Sequence, residues 1–379
     1  MNLIYNKNDY FGIYIHIPFC RRRCIYCDFY FTIQRPNPEF AQAILQEYES
    51  RQNERSESAQ TLYFGGGTPS LLPVPELRTM IAALGKDASE ITLEANPEDL
   101  NEAYLNELRA AGCNRLSLGI QSFEDPILKF LGRKHRSKQA YETVLLAKKA
   151  GFEQISVDLI VGIEGENLES ARWLRDQEIG HLSVYLLTVE PFTPLARFID
   201  QGRLKKIDED VQADAYIRMQ ESLSMLGYQQ YEISNYALPG QESLHNRIYW
   251  SQGTYLGLGP GAHSMRLHAD GSVTRRRNLP LLNQWLQNPS SAPHEAELLT
   301  PVEALQEALA FGIRDLRGIV PEALARRHKT PLAANFKTCV QELMDRHWLA
   351  QEHGRIYLTQ TGARFADAVS RAFLTQASE

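Results

Sequence analysis

The sequence predicts an α/β protein: a partial, TIM-like barrel of six β/α units, followed by a small winged-helix-like α+β domain. Three observations carry the prediction. Short apolar runs rich in β-formers alternate with helical periodicity from residue 11 to about 190. That alternation means parallel strands joined by right-handed crossovers, and six units are too few to close an eight-stranded barrel. Finally, a polar linker at Asn288 to Pro293 precedes a tail that reads as helices, a short strand around Ile356 and a last helix.

Taken in order, the expected strands are 12–17, 61–64, 91–95, 115–120, 155–161 and 182–187. Between them, 38–57, 74–84, 101–111 and 137–150 carry the period of amphipathic helices. Residues 191–290 are less regular and form an extension of the barrel domain, which is expected to span 1–290; the tail domain is expected over 300–379. In a barrel of this kind, ligands sit at the C-terminal ends of the strands. The cysteines after residue 17, the glycines from Gly65, then Asn96, Gln121 and Gly162 all follow expected strand ends.

Composition narrows the function. With 40 basic against 46 acidic residues and a net charge of −6, the chain has no electrostatic reason to bind nucleic acid. The tail, with ten basic and nine acidic residues, fits a lid or docking module better than a DNA reader. Its 43% hydrophobic content is ordinary for a globular protein. Residues 1–7 lack a secretory pattern, and no apolar run approaches the ~20 residues of a membrane helix, so a cytoplasmic protein without a transmembrane segment is expected.

Three of the five cysteines, Cys20, Cys24 and Cys27, form a C-x3-C-x2-C loop. Three thiolates on one tight loop can hold three irons of a 4Fe–4S cluster and leave the fourth open. A zinc knuckle wants a second ligand pair, and a disulfide framework wants paired cysteines in a short secreted chain; neither pattern is present. Cys113 and Cys339 read as small buried hydrophobes. Of the arginine triplets at 21–23 and 275–277, the first favours a net-negative cluster or an acidic partner, and the second reads as a solvated loop. The glycine run from Gly65 lets backbone approach a ligand, although a plain turn explains it equally well, and it lacks the Lys-Ser/Thr ending of a P-loop. A G-x-G-x-G pattern at 257–261, interrupted by Pro260, reads as a loop lining a pocket and not as a dinucleotide site.

With Tyr26 before the last cysteine and the glycine run that follows, the chain resembles the radical S-adenosylmethionine (SAM) superfamily. The resemblance implies a 4Fe–4S cluster on Cys20, Cys24 and Cys27, with the methionyl group of SAM on the open iron and contacts at Gly66, Gly67 and Thr68. His16-Ile-Pro-Phe-Cys20, Glu94-Ala-Asn-Pro97, Gln121 and Asp158-Leu-Ile-Val-Gly162 are similar to oxygen-independent coproporphyrinogen III oxidases. By motif position, Tyr14, Tyr26, Glu94, Gln121, Arg133 and Asp158 would surround SAM. Asp158, a lone charge on an apolar strand, is the one that also stands out physically.

Two departures set the chain apart from the oxidases. Their further cysteine, two residues after the third, is replaced here by Phe29, which cannot supply a thiol. His245-Asn-Arg-Ile-Tyr-Trp250 resembles the H-N-x-x-Y-W signature of HemW-type heme chaperones. Pattern alone makes His245 and its aromatics a core face; the resemblance makes His245 a heme ligand. It implies heme as cargo and heme-accepting proteins, such as membrane respiratory cytochromes, as transient partners. An oxidase remains the second expectation, and a redox-sensing DNA-binding regulator, suggested by the tail alone, a weaker third.

Overall fold

In the computed structural model, residues 11–55, 58–165 and 168–375 are described. The absence of a secretory pattern at 1–7 lies outside them, as do the last two positions of the helix expected over 38–57 and the end of the tail beyond 375. All six expected strands form: β1 (Phe11–Ile17), β2 (Thr61–Gly66), β3 (Glu90–Ala95), β4 (Arg115–Gln121), β5 (Gln154–Val161) and β6 (His181–Leu186). They are neighbours in chain order and parallel throughout. Burial on both faces explains their nearly unbroken apolar runs, since crossover helices cover such strands. In β1, six of the seven residues are buried.

The crossovers hold α1 (Phe40–Ser50), α2 (Val74–Leu84), α3 (Glu102–Ala110), α4 (Asp125–Phe130), α5 (Ser137–Lys149) and α6 (Glu169–Asp176). Local signals set their ends: the Asn101 side chain accepts from Tyr104 N–H to cap α3. The apolar faces of α1, α2, α3, α5 and α6 and the strands share one core, running from Phe11 to Ala292. Ile127 of α4 packs instead in a smaller cluster with Leu131, Ile160, Leu187 and Leu195.

The extension is more ordered than its sequence suggests. After α7 (Pro194–Asp200) and α8 (Glu209–Met225), β7 (Gln229–Gln230) and β8 (Asn235–Ala237) add antiparallel strands beside β6. The chain then crosses, through α9 (Leu244–Trp250), to the opposite edge. There β9 (Thr254–Leu258) lies parallel to β1, and β10 (His263–Leu267), β11 (Val273–Asn278) and β12 (His294–Leu299) continue antiparallel, giving a sheet of 12 strands. The glycine pattern at 257–261 is therefore the end of β9 and its turn, not a pocket loop. A side chain at Gly257 would strike the backbone of His263 in the neighbouring strand. The second arginine triplet also lies on a strand, with Arg275 paired to Glu307 and Arg276 to Glu54.

A buried carboxylate fastens this edge to the barrel. Glu47, on α1, accepts from Gly259 N–H (2.8 Å), Asn278 Nδ2 (2.7 Å) and Trp285 Nε1 (2.8 Å), and pairs with Arg51 at 3.1 Å. A buried charge so fully bonded is costly to break. Trp285 belongs to α10 (Leu282–Gln287).

The tail comprises α11 (Pro301–Gly312), α12 (Pro321–Arg327), α13 (Phe336–Asp345), the hairpin β13 (Leu349–Glu352) and β14 (Arg355–Leu358), α14 (Gln360–Arg364) and α15 (Ala366–Leu374). Helices followed by a two-stranded wing make a winged-helix-like unit. A capping box, Thr300 with Glu303, starts α11. Leu309, Ile313, Phe336, Val340, Leu349 and Phe373 belong to a separate apolar cluster. Arg327 ties the unit to the end of α9 through the carbonyls of Ser251 (2.9 Å) and Gln252 (2.8 Å).

Candidate functional site

A cavity of about 380 Å³ opens at the C-terminal ends of the parallel strands. Cys20, Cys24 and Cys27 line one wall, with Tyr26, Gly66, Gly67, Thr68, Glu94, Gln121, Arg133 and Asp158 around the rest. Eleven of the residues singled out in the sequence thus share one space, because each lies in the C-terminal half of a parallel strand or after it.

The glycine run sits where side chains cannot. Gly66 has φ +106°, and a Cβ there would lie 2.6 Å from the His16 ring. Gly67 N–H donates to Ile17 O (2.8 Å), drawing the end of β2 against the approach to the cysteine loop. Gln121 is also left-handed, at φ +68°, beside a register shift between β4 and β5. A non-glycine residue held there stores strain, a common mark of functional positions.

The cysteines are free thiols, each partly buried. Burial pushes the Cys27 thiol up to about 11 and raises that of Cys20. A hydrogen-bonded chain runs from one cysteine to another across the cavity. Cys20 Sγ lies 3.4 Å from Thr68 Oγ1, and Asn96 Nδ2 donates to that hydroxyl at 3.2 Å. Arg133 donates to Asn96 Oδ1, to Gly119 O (2.8 Å) and to Cys24 Sγ (3.6 Å). Burial opposes the Arg133 charge, but Tyr26, Cys24 and Glu98 beside it raise its pKa. Its Nε is buried without a hydrogen-bond partner among the described residues.

Two carboxylates face the cavity. Glu94 accepts from Tyr63 OH (2.9 Å) and Gly66 N–H (3.2 Å), and Asp158 from Ser117 Oγ at 3.1 and 3.2 Å. Burial, reinforced by Asp158, lifts Glu94 to about 7; burial lifts Asp158 to about 6. Such a pair favours a cation or hydroxyl donors beside it.

Two expected residues lie elsewhere. Tyr14 does not line this cavity: it sits mid-strand, below the rim, with its hydroxyl 3.2 Å from His16 Nδ1 and its ring stacked on Tyr63. His245, 1% exposed, is at the opposite end of the barrel on α9. Its Nδ1 shares a hydrogen bond with Thr61 Oγ1 (2.7 Å) and its Nε2 one with Tyr249 OH (2.8 Å). Both ring nitrogens are engaged, so in this conformation His245 presents no face to an iron. Burial lowers its pKa to about 3, which keeps the ring neutral. Asn96, marked in the sequence by its place after a strand end, lines the cavity too. So do Ser117 and Tyr185, which had no expected role; the place of Tyr185 near the end of β6 was the available signal for it.

The family model of the Radical SAM superfamily matches residues 14–177. In fold, the chain is similar to the Escherichia coli coproporphyrinogen III oxidase HemN, described as a radical SAM enzyme, with a TM-score of 0.78 and 22% identity over 98% of this chain and 92% of that one. Sequence comparison narrows the class. The heme chaperone HemW of Lactococcus lactis is 32% identical, covering 95% of this chain and 96% of the relative; that of Bacillus subtilis is 33% identical, covering 95% and 98%. The mouse mitochondrial protein called radical S-adenosyl methionine domain-containing protein 1 is 36% identical over 81% of this chain and 74% of its own length. The chain belongs to the HemW family of the radical SAM superfamily.

That superfamily implies a 4Fe–4S cluster and SAM, and the cavity suits both. Three sulfurs around one zinc at ~2.3 Å would crowd within ~4 Å of one another. Among the described residues no three cysteine, histidine, aspartate or glutamate side chains group around a single ion. Three thiols on one wall of the cavity suit a cluster whose irons each take one sulfur. The orphaned Arg133 Nε and the two carboxylates suit the charges of an amino acid and the hydroxyls of a ribose.

Proposed function

We propose that this protein binds heme and passes it to acceptor hemoproteins, on a scaffold that carries a 4Fe–4S cluster and exchangeable SAM. Identity above 30% along nearly the full length of chains named heme chaperones is the observation that carries this reading. Phe29, in place of the oxidases' extra cysteine, supports it from the chemical side.

In this reading Cys20, Cys24 and Cys27 hold the cluster. Gly66, Gly67 and Thr68 offer backbone and hydroxyl groups to the methionyl end of SAM, and Arg133 pairs with its carboxylate. Glu94, Asp158, Gln121 and Tyr26 bound the rest of its pocket, while Tyr14 acts from behind, through the packing of Tyr63. When bound, the reduced cluster supplies one electron that can cleave the sulfonium of SAM. Because burial holds Glu94 and Asp158 partly protonated near neutrality, a cation entering beside them would drive proton release. His245 can ligate heme iron here only after a ring nitrogen is freed, Nε2 by rotation of the Tyr249 side chain on the same helix or Nδ1 by parting from Thr61. The working location is the cytoplasm, and acceptors are met transiently.

Heme titration of the anaerobically reconstituted chain is the test. A saturable heme spectrum at about one per chain is expected, and no binding overturns the reading. Offering coproporphyrinogen III with reductant and SAM checks the oxidase: protoporphyrinogen at enzyme-like rates, about 1 per second or faster, would replace the chaperone by an enzyme.

A further inference from the structure

Around the mouth of the cysteine cavity, two segments of the chain carry exposed apolar side chains. One runs from the end of β6, where Tyr185 and Leu186 line the cavity, into the following loop, where Val189 and Phe192 are exposed. The other is the cysteine loop, which presents Phe29, 67% exposed, and Phe31. Phe192 is 95% exposed and held at φ +64°, a left-handed conformation that a bulky aromatic rarely adopts. It is pinned there from both sides. Arg23 Nη2 donates to Phe192 O at 2.9 Å, and the next residue, Thr193, donates to Glu190 O (2.7 Å) while capping α7. A strained, outward-facing aromatic fastened by its neighbours points to a ligand that it meets.

The charges of the rim specify the ligand further. Arg21 is paired with Asp99 at 2.7 Å. Arg22 and Arg23 instead donate to the carbonyls of Gly132 and Phe192, which carry no formal charge. Asp28 and Glu190 are the acids closest along the same two loops. The combination is an apolar face with two arginines that have no carboxylate partner in the bonds seen, placed over a cavity whose own polar groups serve another ligand. Its complement is flat, apolar and bears carboxylates.

We infer that heme is received at this mouth and not at α9, with the macrocycle against Phe29, Leu186 and Phe192 and its propionates on Arg22 and Arg23. The inference rests on the heme reading above. It accounts for how a chain whose buried histidine is closed can still take up heme, and it gives Phe29 a use that a missing thiol does not.

The test is a titration of the reconstituted full-length chain with heme, metal-free protoporphyrin and heme dimethyl ester. Protoporphyrin should bind within about threefold of heme, because recognition rests on ring and carboxylates and not on iron. Phe192→Ser should weaken both by about tenfold, and Arg22→Glu with Arg23→Glu by about tenfold again, with cluster absorbance retained. The ester should bind weakly to the unaltered chain and be indifferent to the arginine changes. Affinities unchanged in all rim variants, or heme binding without protoporphyrin binding, would overturn the inference while leaving the chaperone reading intact. No heme binding by the unaltered chain would instead remove both.

Discussion

At one end of the barrel Glu94 and Asp158 face an open cavity, each bonded to neutral donors alone, with the orphaned Nε of Arg133 nearby. At the other end Glu90 accepts from Ser243 Oγ (3.2 Å) and from the N–H groups of Leu244 and His245 (both 2.9 Å). There Thr61, His245 and Tyr249 direct their hydrogen bonds at one another. Both ends are polar and both carry a sequence signature. The difference is what the carboxylates meet. Glu90 closes on α9 and holds the chain together, even though Arg115 Nη2 and Arg247 Nε stay without hydrogen-bond partners among the described residues. Glu94 and Asp158 face a cavity and are ready for a ligand. The HNRIYW helix is, in this conformation, a bolt across the barrel floor. His245 stacks on Tyr63, Asn246 reaches Tyr231, and Trp250 lies under Arg314 of the tail.

The largest effect should follow from Cys24→Ser, which should remove the iron–sulfur absorbance and bound iron while leaving the apo chain folded. Survival of the spectrum would break the assignment of the cavity end. Next, Glu90→Ala should cost about 3–5 kcal/mol in urea unfolding, because it strips the donors of α9 and leaves Arg115 buried without its partner. An effect below about 1 kcal/mol would mean the floor is not the structural end. Gly66→Ala should cost about 2–3 kcal/mol, from the left-handed φ and the clash with His16, and weaken SAM binding in equilibrium dialysis.

The smallest effect distinguishes the ends by pH. Glu94 and Asp158 hold protons more tightly in the folded chain, at about 7 and about 6, than their usual 4.5 and 3.8. Their contribution to apo-protein stability therefore falls as pH rises from about 4 to about 7 and is flat above. His245, lowered from 6.5 to about 3, acts oppositely, its contribution growing as pH rises through that window. Glu94→Gln should thus make the stability of the apo chain rise more steeply with pH, and His245→Asn less steeply. Slopes that move together would erase the contrast.

Much of this was legible in the sequence where information is local. The strand spans of the barrel and three of the four expected helices agree with the structure to within about two residues, since apolar runs between turn signals require no knowledge of partners. The helix expected over 38–57 instead ends at Ser50, where the chain tightens into a short 3-10 turn at Gln52–Glu54. The cysteine loop, the glycine run and Asp158 likewise announced themselves by type and spacing. The extension did not. The pairing of Phe11 with Thr254 joins distant parts of the chain, and Gly257 interrupts the short strand pattern of β9. Asn96 was marked only by its place after a strand, because an asparagine before a proline is an ordinary turn signal until Thr68 and Arg133 are placed on either side of it.

By itself, then, the sequence determined the six β/α units and which ends of their strands carry chemistry, because both follow from periodicity and chain order. The tertiary structure alone decided which signature residues face open space. It put Tyr14 beneath the rim, shut His245 between Thr61 and Tyr249, and left Phe192 exposed with its carbonyl held by Arg23 of the cysteine loop. Exposure and saturation of a polar group depend on neighbours far away in the chain, and no spacing within a motif encodes them.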